Sequence, residues 1–161
     1  MSEIQEFTLT LTQEEDFVFR IEFDDTAIPD LLSDEPPPQG ASRGPNPSRM
    51  LVAAVANCLS ASLLFSLRKF RNRPGTLVTH AKARLERNER DRLRVAHIDV
   101  RITLPEAVAD YAFAERLLGQ FEEFCVVTES VRAGIPVGVT VQDGTGKVVH
   151  VAPAQGGLSR S

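Results

Sequence analysis

Two cysteines, Cys58 and Cys125, are the residues in this chain whose type and number best suit chemistry: two is the number that one redox pair needs. They stand 67 positions apart. Cys58 lies in Val52-Ala53-Ala54-Val55-Ala56-Asn57-Cys58-Leu59-Ser60, and Cys125 in Phe121-Glu122-Glu123-Phe124-Cys125-Val126-Val127. Both settings are apolar, and free cysteine often serves as a small buried hydrophobe. A reactive cysteine needs more, namely a thiolate held by a cation or a dipole. Other constellations carry little. His80, His97 and His150 lack ligand spacing and read as strand or surface residues, so no metal is expected. Asp143-Gly144-Thr145-Gly146 reads as a hairpin turn rather than a phosphate loop. Ser60 and Ser62 have no adjacent His or acid, which leaves a hydrolase triad without support, and Glu122-Glu123 reads as a solvated helix edge.

The elements that must position the cysteines follow from pattern. Phe7, Leu9 and Leu11 alternate with threonines. After the polar turn Gln13–Asp16, Phe17, Phe19, Ile21 and Phe23 alternate with Val18, Arg20 and Glu22. That is a β-hairpin with one apolar face. Residues 28–32 suit a short strand or turn, and the Pro36-Pro37-Pro38 segment through Ser42 a loop. In Gly44-Pro45-Asn46-Pro47 the Asn can cap a helix whose first residue is Pro47. No Gly or Pro follows until past Phe70, which gives about 24 residues and roughly 36 Å of helix. It is apolar almost all round, as a core helix is. Residues 77–86 and 93–104 read as strands joined by the polar turn 87–92. A helical region is expected from Glu106 to about Phe124, then a short helix over 125–133. Residues 136–142 and 147–151 complete a last strand pair. This order is not an alternation of strand and helix, so the fold class is α+β with antiparallel sheets around a long central helix. Residues 1–151 form one domain in this reading, with 152–161 a flexible C-terminal tail.

Composition narrows the function classes. The 161 residues hold 18 Lys and Arg against 22 Asp and Glu, a net charge of −4, so no global basic character points to nucleic acid or anionic lipid. Two cysteines exclude a disulfide-dense secreted scaffold. The start MSEIQEFTLT has neither the basic nor the apolar region of a secretory signal. Met50–Leu67 is 18 residues without a charge, but Asn57, Ser60, Ser62 and Ser66 interrupt it, so burial in protein is preferred to burial in lipid. The expected compartment is the cytoplasm, where thiols stay reduced. Residues 1–35 carry eleven acids and one base, residues 68–94 ten bases and three acids. The two segments can neutralise each other across the fold or across a dimer.

Helix geometry limits what can activate Cys58. With Pro47 as the first helical residue, Cys58 lies three turns in, beyond the reach of the helix dipole. Arg49 is nine residues earlier, roughly 13 Å along the axis. An activating charge must come from another segment or subunit, and Arg20 and Arg43 are the candidates.

Two motifs carry a family resemblance. Gly44-Pro45-Asn46-Pro47 followed by an Ala-rich apolar helix to Asn57-Cys58 is similar to the helix of the OsmC/Ohr family (osmotically induced protein C and organic hydroperoxide resistance protein). So is Phe124-Cys125-Val126-Val127-Thr128-Glu129-Ser130-Val131 with Gly134-Ile135-Pro136-Val137. The resemblance spans most of the chain, from the first hairpin to the last strands. It implies an intertwined α+β homodimer with sites at the subunit interface. It also implies a thiol peroxidase for organic hydroperoxides that needs no metal, flavin or other cofactor. Carried over by position, Cys58 is the peroxidatic thiolate and Cys125 resolves its sulfenic acid as a disulfide, which a lipoyl- or thioredoxin-type dithiol then reduces. The best-studied branches place a Glu nine or ten residues before the first Cys; here those positions are Arg49 and Ser48. The organic-hydroperoxide branch has an Arg in the first hairpin turn; here that turn is Gln13–Asp16.

Two other readings compete. One is a non-catalytic small-molecule-binding dimer with packing cysteines; thiol reactivity separates it from the peroxidase. The other is nucleic-acid binding through the basic 68–94 stretch, disfavoured because no aromatic lies between Phe70 and Arg94 to stack on bases.

Overall fold

The computed structural model describes residues 4–155. The chain divides into two compact units, Met1–Met50 and Leu51–Ser161, and each carries one sheet.

In the first unit, β1 (Leu9–Glu15), β2 (Val18–Phe23) and β3 (Leu31–Ser33) form an antiparallel sheet in that order. The expected hairpin is present with a tighter turn. Gln13 and Glu15 pair across the ladder, and Asp16 turns the chain at φ 47, a left-handed conformation that Asp tolerates better than most residues. Val18, Ile21 and Ser33 are the buried strand residues, while Leu9, Leu11, Phe17 and Phe19 stay exposed. The apolar row read from the alternation is therefore covered at Ile21 and largely uncovered elsewhere in the single chain. The loop after β3 folds around the buried Asp34, whose carboxylate accepts the N–H groups of Glu35, Ala41 and Arg43 at 2.8, 3.1 and 3.0 Å. The Arg43 N–H is the largest cause holding that carboxyl below its ordinary value, against the effect of burial. Gly44 follows where only glycine fits: a Cβ there would stand 1.9 Å from the Leu32 carbonyl oxygen. Asn46 then caps the long helix α1 (Pro47–Lys69), its Oδ1 accepting the Arg49 N–H at 3.0 Å, and Pro47 is the first helical residue as the sequence predicts.

In the second unit, β4 (Val78–Arg87), β5 (Leu93–Thr103), β6 (Val137–Gln142) and β7 (Val148–Gln155) form a sheet in that order. The outer pairs are antiparallel as expected, and β5 and β6 run parallel between them. Parallel neighbours need a long crossover, and residues 104–136 supply it. Val55, Leu59, Leu63 and Leu67 lie four residues apart along α1 and are fully buried. They join Ile98, Val100 and Ile102 of β5, and Val137, Val139 and Val141 of β6, in one core cluster. The helical 4-residue and strand 2-residue periods therefore meet in a single layer of side chains. Each such burial stabilises by about 1.5–3 kcal/mol. The opposite side of α1, with Ala53, Ala54, Asn57, Ala61 and Phe65, is exposed. The helix is thus covered on one side in the single chain. By length and composition it is apolar enough to cross a membrane, but its leucine row is packed in protein. Its end is closed by bonds from Asn72 N–H to the Leu67 carbonyl and from Arg71 N–H to the Arg68 carbonyl, both 2.9 Å, with Arg71 at φ 62.

The single helix expected over 106–124 is broken into a 3-10 turn (Val108–Asp110), α2 (Ala114–Gln120) and a second 3-10 turn (Phe121–Phe124). Side chains from elsewhere occupy the backbone groups that a continuous helix would use. Asn72 Nδ2 donates to the Ala112 carbonyl (3.0 Å), and its Oδ1 accepts the Ala112 N–H (2.8 Å). The Asp143 carboxylate takes the Val108 N–H at 2.8 Å. Phe113, at φ 57, turns the chain between the two. The same Asp143 closes its own turn, accepting from Thr145 N–H, Thr145 Oγ1 and Lys147 N–H. These bonds, the Thr145 hydroxyl first, bring its carboxyl down to about 2. Strand β7 runs to Gln155, four residues past the expected strand end, and the rest of the expected tail lies outside the described residues.

Candidate active site

Cys58 sits on α1, one residue before the buried Leu59, and is half-buried against the core. Cys125 lies between the second 3-10 turn and α3 (Val126–Val131), fully buried. Its backbone is fixed on both sides. Its N–H donates to the Glu122 carbonyl at 3.0 Å, and its own carbonyl accepts the Glu129 N–H at 3.0 Å. Its thiol donates to Thr128 Oγ1 at 2.9 Å, inside a buried contact. That thiol is also a close neighbour of the Cys58 thiol, near enough to raise its pKa. The fold therefore brings together two cysteines that are 67 positions apart in sequence, both as free thiols. They differ in access: solvent reaches Cys58 and does not reach Cys125. Burial pushes the Cys125 thiol above its ordinary value and the adjacent Cys58 adds to this, while Thr128 pulls the other way.

Arg20 and Arg43 are placed in the first unit, each already engaged. Arg20 Nε pairs with Glu14 and its Nη1 with Asp30 at 3.3 Å; the Glu14 contact is the main cause raising its pKa. Arg43 Nη1 pairs with Glu15 at 3.1 Å. Glu14, Asp30 and Glu15 thus pair with cations in their own unit. In the basic stretch, Arg84 pairs with Glu86 and Arg87 with Asp91. Among the described residues, no guanidinium makes a hydrogen bond to either sulfur.

Sequence reading missed Thr128 and the cluster of Glu122, Arg132 and His150 near Cys125. Thr128 stands three residues on, at helical spacing, so it was findable once Cys125 was placed at a helix start. Glu122 is not the solvated edge it resembled. It is half-buried, with Arg132 Nη2 at 2.8 Å on one oxygen and His150 Nε2 at 2.7 Å on the other. Glu123 is exposed as expected. His80, His97 and His150 lie on β4, β5 and β7, the strand placement that their spacing suggested.

The sequence profile of the family described as OsmC-like protein matches residues 39–140. The chain belongs to the OsmC-like family. No curated protein matches it, but solved structures do. An OsmC-like protein of unknown function from Vibrio cholerae superposes with a TM-score of 0.70 at 17% identity, covering 87% of this chain and 99% of that one. An organic hydroperoxide resistance protein from Elizabethkingia anophelis gives 0.68 at 17% identity, with 89% and 99% covered. The organic hydroperoxide resistance protein OhrB of Bacillus subtilis gives 0.59 at 19% identity, with 85% and 98% covered. These likenesses establish the OsmC-like fold: a mixed α+β architecture of sheets and one long helix, which the sequence resemblance implied.

Proposed function

We propose that this OsmC-like protein is a cytoplasmic thiol-dependent peroxidase for organic hydroperoxides, with Cys58 peroxidatic and Cys125 resolving. The observation that carries the reading is that an accessible thiol and a buried one are neighbours in the reduced chain. A pair of packing cysteines has no need of that division; a two-step oxidation does. In the first step the Cys58 thiolate attacks the outer peroxide oxygen. The O–O bond breaks, Cys58 becomes a sulfenic acid, and the alkoxide takes a proton and leaves as an alcohol. In the second step the Cys125 sulfur attacks the Cys58 sulfur, an S–S bond forms, and the sulfenic oxygen leaves as water. An external dithiol of lipoyl or thioredoxin type restores both thiols, supplying two electrons and two protons. Cys125 can attack without diffusing, so resolution competes well with further oxidation of Cys58. The apolar packing around Cys58 favours an organic hydroperoxide over hydrogen peroxide.

The proposed form is a homodimer. In one chain the strand residues Leu9 and Leu11 and the helix residue Phe65 are all about half exposed, apolar area that a second copy would remove from water. Stopped-flow reaction of the reduced protein with cumene hydroperoxide tests the function. Wild type should lose two thiols rapidly. Cys58→Ser should abolish the reaction, and Cys125→Ser should stop at a sulfenic acid. Reaction no faster than a free model thiol would refute the peroxidase and leave a small-molecule-binding dimer with packing cysteines.

A further inference from the structure

The segment that carries Cys125 is short on its own account: a 3-10 turn of four residues and a helix of six. Elements of that size do not hold their shape without tertiary support. The support observed here converges on one carboxylate. Glu122 belongs to the 3-10 turn and gives its backbone carbonyl to the Cys125 N–H. Its side chain binds Arg132 Nη2 just after α3 and His150 Nε2 on β7. Arg132 also reaches Glu129 at 3.3 Å, and its N–H bonds the Thr128 carbonyl at 2.8 Å. His150 stacks edge-on against the buried Phe121, with ring centroids 5.2 Å apart. Residues 122, 129 and 132 thus bracket Cys125 from both sides in sequence, and His150 anchors the bracket to the sheet. The arrangement is held tightly enough to leave one group unpaired: Arg132 Nε is buried without a partner, which an adaptable surface pair would avoid. Burial opposes ionisation of Glu122, yet the bonds from His150 and Arg132 outweigh it and keep the carboxyl below its ordinary value.

We propose that Glu122, Arg132 and His150 form a positioning network that holds Cys125 against Cys58 for disulfide formation. The inference rests on the redox pairing of the two cysteines proposed above. A disulfide requires Cα atoms within about 4.4–6.8 Å and a narrow range of torsions. To form it, the Cys125 sulfur must leave Thr128 Oγ1 and close on Cys58 while its backbone stays in place. The network fixes that backbone and leaves the thiol free to turn. None of its three members touches the peroxide; they act through Cys125.

The test is the redox equilibrium of the full chain in glutathione buffers, reading the effective molarity of the Cys58–Cys125 disulfide. Glu122→Gln keeps size and loses the carboxylate charge that Arg132 and His150 bind. It should lower the effective molarity by about tenfold or more, the scale of a small misplacement of reacting groups. Arg132→Lys, a milder change, should fall between it and wild type. Arg84→Gln, which removes an exposed pair on β4, should match wild type. With excess cumene hydroperoxide, Glu122→Gln should also divert Cys58 from disulfide to sulfinic acid. Thermal unfolding of each variant is followed in parallel. A lowered melting temperature with unchanged effective molarity and unchanged disulfide yield would show a merely structural network and overturn the proposal. The glutathione readout needs no reaction with peroxide. An inert Cys58 with a network-dependent disulfide would therefore refute the peroxidase alone, whereas failure of wild type to form the disulfide in glutathione would refute this inference.

Discussion

Replacing Thr128 by Val is the sharpest perturbation of the resolving cysteine. The two side chains are nearly the same size, and Thr128 is fully buried, so the substitution removes a hydroxyl and little else. In the reduced protein that hydroxyl accepts the Cys125 thiol at 2.9 Å; once Cys125 ionises, the same hydroxyl turns and donates to the sulfur. A hydrogen bond to a charged group is worth about 1.5–3 kcal/mol. The thiol form loses its own bond of about 1 kcal/mol, so the differential is about 0.5–2 kcal/mol, which at 1.36 kcal/mol for each tenfold change leaves about two- to thirtyfold less thiolate. The remaining thiolate is more basic and more nucleophilic, which returns a little under half of that loss on a logarithmic scale. The net expectation is resolution slowed by up to about sixfold, with the pH profile of that step moved to higher pH. The stability cost is about 1 kcal/mol for a thiol left without its acceptor. Thr128→Ser keeps the hydroxyl, so resolution should stay within about twofold of wild type while a buried methyl worth about 0.8 kcal/mol is lost. Stopped-flow thiol counting across pH separates the two cases. A Thr128→Val protein with the wild-type pH profile, or a Thr128→Ser protein as slow as Thr128→Val, would refute the role given to the hydroxyl.

Other perturbations test the frame around the site. The folded-state pKa of Cys125 is raised above its ordinary 9.0, so its contribution to stability is complete below that value and is lost as pH rises through and beyond it. Reduced wild type should therefore lose urea stability on the alkaline side more steeply than Cys125→Ala. Leu63→Ala, in the fully buried row of α1, should cost about 2–5 kcal/mol in urea unfolding. Asn72→Ala strands both backbone groups of Ala112 and should cost about 1–3 kcal/mol, with faster amide exchange around Ala112 and Phe113.

What the sequence discloses follows the range of the forces involved. Local chemistry is readable: Asn46-Pro47 marks the start of α1 to the residue, and the strand pairs on either side of it follow from alternation and turn residues. Cys58 and Cys125 are identifiable as candidates from their motifs, but nothing local shows that their sulfurs are neighbours. That proximity depends on how the crossover between β5 and β6 lies against α1. The misread segment, 106–124, has a helical pattern throughout, and it breaks because Asn72 and Asp143, distant in sequence, take its backbone bonds. The hairpin alternation marks an apolar face but not what covers it, and Leu9 and Leu11 stay exposed in one chain. Glu122 looks like half of a solvated acid pair until His150, 28 residues later, arrives beside it on β7.

The most direct test of the central claim is a thiol count after one equivalent of cumene hydroperoxide per reduced chain, followed by non-reducing peptide mapping. The account predicts that two thiols disappear together and that the peptide holding Cys58 is joined to the peptide holding Cys125 within one chain. Retention of both thiols, or oxidation of Cys58 alone with Cys125 still free, would contradict it.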